Sequence, residues 1–402
     1  MRPSSALFML VGVLLASAGY GATFLFSMHV RAIGGTDINT GVTLAGAALG
    51  TFVGVSLTGW LAHHVGAARM AALAALCVGA GVVSFALIET VSRFDVLPGF
   101  LVGFGWGAFC LAAPMALAER TSDADRGLWF LRFATVQMTG IGGTPALAAF
   151  AIRFWRMPLG GVLYVIGGLC VVAALMLEIF GRLAPHARAL HGQPAQDAPP
   201  AGPASGHWLR NFGAIARTRA VYPIVIIALG GCVFSGLMTF QMSLVQGTEA
   251  KAGTFFSVYT ITVVATRWLL SRLVIKMRAE TATKVLLAMM VLGSAAMFVV
   301  PYHVLFHSAA AVLLGTGYGL AYPIAQLQAV NDSVAAHRRA ALTWFVAAYF
   351  VGAFGFPAVG GWVLVHSGKG ALLALIAACG LAALALAVLR DRRRIPTLSA
   401  NA

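Results

Sequence analysis

Two arginines sit where arginine is costly. Arg132 and Arg267 fall inside long apolar runs, and a guanidinium at membrane depth costs about 2.5–3.5 kcal/mol on insertion scales. Each head can snorkel to the interface on its apolar stem. Alternatively the two forks bind an anion, because guanidinium matches carboxylate and phosphate geometry. A second constellation is Tyr318, Tyr322 and Gln326, whose i, i+4, i+8 spacing puts one polar-aromatic stripe on a helix face. A third is Met238-Thr-Phe-Gln-Met242, two thioethers one turn apart. Soft sulfur suits Cu(I), and methionine is equally ordinary filler of apolar helices. His303 and His307 form another i, i+4 pair, expected in an outer loop. Nothing pairs a nucleophile with a base and an acid at a recognisable spacing, and there is no GxxxxGK[ST] loop. The expectation is therefore no enzyme, no cofactor and no ATP drive. All twelve acids lie in loops or near the ends of apolar runs. A mid-membrane carboxylate, the usual proton carrier or cation anchor, is not expected.

The elements that must position these residues follow from composition. The chain has 402 residues, 60% hydrophobic and 10% charged, against about 25% charged for a soluble domain. A span needs about 20 apolar residues. Twelve such stretches can be marked, from roughly 6–28 to roughly 370–390, and in lipid runs of this length must be helices. The fold class is an all-α membrane protein with twelve transmembrane helices. The net charge of +15 invites a nucleic-acid reading, but topology explains it better. Most Lys and Arg fall in alternate loops and at both tails, which places both termini in the cytoplasm of an inner (plasma) membrane protein. All five cysteines lie within spans, so no disulfide framework is implied. Arg2 and Ala16-Ser-Ala18 mimic a signal peptide, yet the apolar run continues to Met28 and reads as a retained first span. Residues 181–220 are the one long hydrophilic connection, Pro/Ala/Gly-rich and basic, a flexible linker. The expected organisation is 1–180 and 221–390 as two six-helix bundles, with 391–402 as a cytoplasmic tail.

The halves repeat each other. At an offset of 212, Gly103-Phe-Gly105-Trp106-Gly107 lands on Gly315-Thr-Gly317-Tyr318-Gly319, Arg126 on Arg338, Gly140 on Gly352 and Pro145 on Pro357. A repeat of half an apolar chain implies two similar bundles with substrate between them. After the second span comes Gly59-Trp-Leu-Ala62-His63-His64-Val-Gly66-Ala-Ala-Arg69, echoed by Arg267-Trp-Leu-Leu-Ser271-Arg272. This resembles the signature loop of the major facilitator superfamily, with His63 in the acidic place. Gly140-Ile-Gly-Gly143-Thr-Pro145 and Gly352-Ala-Phe-Gly355-Phe-Pro357 look like the glycine-proline motif of superfamily exporters. Where many proton-coupled relatives carry arginine, four residues before Gly103, this chain has Gly99.

The resemblance implies that spans 1, 4, 7 and 10 line a central cavity, which offers Tyr20, Trp106, Met238, Gln241, Met242, Tyr318, Tyr322 and Gln326, with Arg132 and Arg267 as the charged candidates. It also implies an inner latch at His63, Arg126, Arg272 and Arg338. The expected function is a monomeric secondary transporter for a small organic solute, neutral or anionic, by alternating access with export favoured and a proton as possible coupling ion. Import of Cu(I) through Met238 and Met242, or of a vitamin such as riboflavin, is one alternative. A non-transporting sensor or assembly factor is another.

Overall fold

The computed structural model describes residues 3–121, 123–183, 212–269, 277–333 and 337–392. Among them there is helix and turn but no strand, as a chain with lipid for solvent requires. The first half runs α1 (Pro3–Gly21), α2 (Phe26–Ala32), α3 (Asp37–Val65), α4 (Ala67–Ala86), α5 (Val96–Ala118), α6 (Asp123–Phe154) and α7 (Leu159–Leu183). After a short α8 (Phe212–Ala216) come α9 (Val221–Thr239), α10 (Gln241–Val245), α11 (Ala252–Leu269), α12 (Ala279–Val299), α13 (Leu305–Asn331), α14 (Arg338–Phe350) and α15 (Phe356–Arg392). A 3-10 turn at Ala22–Leu25 joins α1 to α2, and a π-helical turn at Val351–Gly355 joins α14 to α15.

Nine helical stretches among the described residues are long and apolar enough to cross a bilayer. The last of these, Ala340–Arg392, folds back at Gly368, whose φ of 80° a side-chain-bearing residue would adopt only with strain. It therefore holds two rods. With α6 and α11 added, the layout is consistent with the twelve expected. Outward faces stay apolar: Leu49, Leu147, Ile261 and Val351 are all exposed, as lipid contact allows. The linker expected at 181–220 lies mostly outside the described residues.

Helices α1, α3, α4, α5, α6 and α7 pack into one bundle, and α9, α11, α12, α13, α14 and α15 into the other. The repeat is preserved contact by contact. A Cβ built on Gly103 would lie 1.9 Å from Ala47 O, and one on Gly315 would lie 3.1 Å from Tyr259 O. Tyr259 is the repeat partner of Ala47. Gly105 abuts Ala74 O and Val78 N, and Gly317 abuts Leu286 O and Met290 N, which are the partners again. Gly107 faces Thr51 and Gly319 faces Val263. Glycine at every second position thus lets two neighbouring backbones approach one helix from two sides, and dispersion between close backbones supplies the attraction that lipid does not.

The bundles meet along two flanks, α3 against α15 and α6 against α11. Gly41 rests on Pro357 O, Gly361 on Asp37 O, Gly142 on Thr260, and Gly253 on Ala149. The contacts of Gly41, Gly361 and Gly253 lie toward the ends of the rods distal to the chain termini, and that of Gly142 with Thr260 lies near the middle of α11.

Candidate functional site

Between the bundles lies an aromatic cluster assembled from both. Tyr20 stacks on Trp106 with ring centroids 4.7 Å apart. In the other bundle Phe234 stacks on Tyr318 at 4.2 Å and 3°. Each pair joins the first helix of its bundle to the glycine-rich helix, and Trp106 and Tyr318 are repeat partners. The two stacks are bridged where Phe24 meets Phe234 edge-on at 5.5 Å and where Tyr20 OH lies 3.5 Å from Tyr349 OH. Tyr349 also touches Tyr322, ring centroids 5.3 Å apart. Tyr20, Tyr259 and Tyr318 are essentially fully buried. The hydroxyls of Tyr259 and Tyr318 have no hydrogen-bond partner among the described residues, and a buried polar atom without a partner is costly.

Arg267 enters this cluster from α11. It is 7% exposed, and its Nε donates to Gly319 O at 3.2 Å. Gly319 stands 12 residues from the last residue of α13, about 18 Å along the helix. The guanidinium therefore sits well inside the bilayer rather than at its edge. No carboxylate of the described residues comes within 4.0 Å of it. A buried charge without a counter-ion costs several kcal/mol. The loop motif sets Arg267 against Gly59, but in the 212-residue register that the glycine contacts keep the counterpart in the first bundle is Val55, 1% exposed, so the two walls differ at this height.

The remaining sequence candidates separate. Arg132 is exposed, with its guanidinium 4.7 Å from the Trp129 ring centroid. Tyr322 and Gln326 are half-buried on α13. Gln241 is buried and turned to His307, with Oε1 3.1 Å from the imidazole Nε2. The outer loop expected for His307 is not what forms: it lies in the first turn of α13 and is 1% exposed. The Met238 and Met242 spacing assumed a continuous helix, but α9 ends at Thr239 and α10 begins at Gln241. Across that break Met238 is 0% exposed and Met242 39%, and of the two only Met242 lines the cavity at the distal end, so their surroundings differ. Among the described residues no group of three or more His, Cys, Asp or Glu gathers. His63 is exposed at the end of α3. Arg272 lies outside the described residues, as do the side chains of Arg126 and Arg338.

Three residues of this region escaped the sequence reading. Tyr349 lies on a helix not counted as cavity-lining. Tyr259 shares a face with Arg267 at i, i+8, the same spacing that singled out Tyr318 and Gln326. Asp37, grouped with the loop acids, is 3% exposed. Arg31 Nη2 donates to its Oδ2 at 2.6 Å, and Ser243 Oγ of the opposite bundle donates to the same oxygen at 2.9 Å. Arg31 Nη1 also reaches Gln246 Oε1 at 3.3 Å, and Lys369 Nζ donates to Gln246 O. Nearby, Ser27 Oγ donates to Thr239 O at 2.9 Å. This polar seam joins the bundles at the end distal to the termini. A run of Thr36, Asp37 and Asn39 was its only signal in the sequence, and that signal reads first as a helix cap.

Two helical bundles enclosing an aromatic, cationic interior within an apolar shell define a multi-pass membrane transporter. The chain belongs to the Major Facilitator Superfamily, whose family model matches residues 6–333. Among solved structures it is similar to an auto-inhibited POT family peptide transporter, at 15% identity and a TM-score of 0.73, covering 100% of this chain and 99% of that one. It is also similar to the nucleoside transporter NupG, at 14% identity and a TM-score of 0.72, covering 96% and 99%. A third is the POT family transporter PepTSo, at 10% identity and a TM-score of 0.73, covering 98% of each. At these identities the likeness is one of fold. No curated protein matches the chain in sequence.

Proposed function

We propose that this transporter carries a small organic anion with an aromatic or apolar body, held between the tyrosine cluster and Arg267. The carrying observation is a buried guanidinium that spends one nitrogen on a backbone carbonyl and meets no carboxylate. An anionic cargo would supply the missing counter-charge, and the facing rings would stack on its body. Tyr259 and Tyr318 hydroxyls, buried without partners, are donors in waiting for the same cargo.

Alternating access is the mode we infer, with this structure closed at the end distal to the termini. The seam at Asp37, Ser243, Arg31 and Gln246 supports that reading, as do the backbone contacts of Gly41 and Gly361. Toward the other end, residues 134–139 of α6 are all half-buried, as expected for a rod with lipid on one flank and open space on the other. Both termini then face the cytoplasm of the inner membrane, with His63, Arg126, Arg272 and Arg338 closing that side in the opposite state. The glycine-proline segments around Pro145 and Pro357 favour export. A single chain encloses the whole site, so a monomer suffices.

The test is uptake into proteoliposomes of a radiolabelled aromatic monocarboxylate and of its neutral amide. Arg267→Ala should lower carboxylate transport about 10- to 100-fold, the loss of one charge-assisted bond of about 1.5–3 kcal/mol, while amide transport persists. Arg267→Lys should recover only part of it, because an ammonium lacks the planar fork. Unchanged transport with unchanged charge selectivity would remove Arg267 from the binding role.

A further inference from the structure

A second cavity lies outside the aromatic cluster, at the end of the bundles distal to the termini. Its volume is about 570 Å³, within the range of small-molecule sites. Four elements wall it: Phe24 and Met28 beside the break between α1 and α2, the last turns of α6, Met242 of α10, and the first turns of α11. Most of this lining is hydrocarbon or thioether. Phe24 also meets Phe234 at right angles, ring centroids 5.5 Å apart, so one aromatic side chain touches both this cavity and the central cluster.

Two cations line the cavity. Arg153 and Lys251 are both exposed, and neither has a carboxylate within 4.0 Å among the described residues. Arg153 is packed over the Phe154 ring, 5.3 Å from its centroid. Phe150, Phe154 and Trp155 form an exposed aromatic cluster beside it, with ring centroids 4.5 and 5.7 Å apart. Exposed aromatics with a polar or cationic neighbour mark the headgroup level of a bilayer. The chain leaves α6 through Arg156, held at φ 52°, a left-handed conformation unusual for a residue with a side chain. An apolar chamber opening at headgroup depth beside unpaired cations is complementary to one chemistry.

We propose that this cavity is a binding site for an amphipathic anion, whose apolar body fills the chamber along Phe24, Met28 and Met242 while its anionic head lies between Arg153 and Lys251. The site is distinct from Arg267 and does not need the central site to hold an anion. Two sources present that chemistry: an anionic phospholipid of the surrounding leaflet, and a soluble single-chain amphiphile.

Both can be probed on the full chain. Native mass spectrometry of protein released from nanodiscs of equal phosphatidylglycerol and phosphatidylcholine reports the lipid, and equilibrium binding of tritiated laurate in dodecyl maltoside reports the soluble amphiphile. The wild-type chain should retain phosphatidylglycerol over phosphatidylcholine, or bind laurate saturably, or both. The first result assigns the site to lipid and the second to the soluble amphiphile. Arg153→Gln/Lys251→Gln should weaken whichever is seen about tenfold or more. Thr254→Trp, which adds bulk to an exposed lining position and leaves both charges, should abolish it. Arg267→Gln should leave it unchanged, which separates this site from the central one. Melting temperature and monodispersity of each variant establish folding. Equal retention of the two lipids together with no saturable laurate binding would overturn the proposal, and so would affinity unmoved by both the charge and the bulk variants.

Discussion

Charge decides most at the level of single residues, because few charges are present and several are buried. Arg390 and Asp332 face each other with Nε to Oδ2 at 2.7 Å and Nη2 to Oδ1 at 3.1 Å, and their side chains are 7% and 8% exposed. Arg390 keeps a second carboxylate, Asp391 Oδ1 at 3.5 Å from Nη1, so the sharper test removes the cation and leaves the Asp332 carboxylate buried without its partner. Arg390→Gln should therefore lower stability by about 3–5 kcal/mol, read as a fall in melting temperature of the detergent-purified protein. Replacing both with a well-packed apolar pair should cost much less. Arg267 was legible from its position in an apolar run, since burial of arginine needs a reason. Asp37 was not, because its distance from the middle of a span hid a burial created by the opposite bundle. Long-range contact is what the local pattern cannot carry.

Helices were read well where length and hydropathy alone define them, and poorly where they break. The interruption between α9 and α10 separates Met238 from Met242, and it arises at a residue, Phe240, with no Pro or Gly to announce it. The π-helical turn at Val351–Gly355 similarly has only its glycines as a cue. Packing glycines were visible as spacing, but their unequal tightness was not. A Cβ at Gly103 meets backbone at 1.9 Å, whereas one at Gly315 first meets the Thr262 side chain at 3.0 Å. Gly103→Ala should cost about 1–3 kcal/mol through forced separation of α3 and α5. Gly315→Ala should cost less, about 1 kcal/mol or under, since its nearest neighbours, the Thr262 side chain and Tyr259 O, stand at 3.0–3.1 Å and need give way by only a few tenths of an ångström. Paired thermal unfolding of the two variants checks this, and equal losses would contradict the close-approach argument. Gly99 is held as closely as Gly103, 1.9 Å from Thr43 O. At this point the α3–α5 contact has no room for the arginine found in proton-coupled relatives.

Viewed as a whole, the seam distal to the termini combines close helix contacts with a few polar ones, and under the proposed alternating access the polar ones should weigh on the conformational balance. Ser243→Ala removes one donor to Asp37 and leaves the Arg31 pair in place. Loss of one bond to a charged group, about 1.5 kcal/mol, should shift the balance toward the distal-open state about tenfold. A Ser27→Cys reporter should then label correspondingly faster with a membrane-impermeant maleimide added on the side opposite the termini. No change in labelling would mean that the backbone contacts of Gly41 and Gly361 hold the seam alone. The two-bundle plan was evident from the 212-residue echo, which survives as the same glycine contacts in each half. Where the halves diverge, sequence comparison within the chain gave no warning of consequence.

One such divergence is the Arg267 and Val55 pair of positions. The scaffold is nearly two-fold, yet at that height one lobe presents a cation and the other an aliphatic side chain. On the proposed reading of an anionic cargo, this asymmetry gives the passenger a fixed heading, its acidic end toward the second lobe and its greasy end toward the first. A symmetrical dicarboxylate would have to strip water from a second carboxylate with nothing to receive it, so it should be rejected where the matching half-ester is accepted. The chirality of the passenger should matter as well, because a handed molecule tethered at one end can meet the tyrosine rings in only one of its two mirror forms.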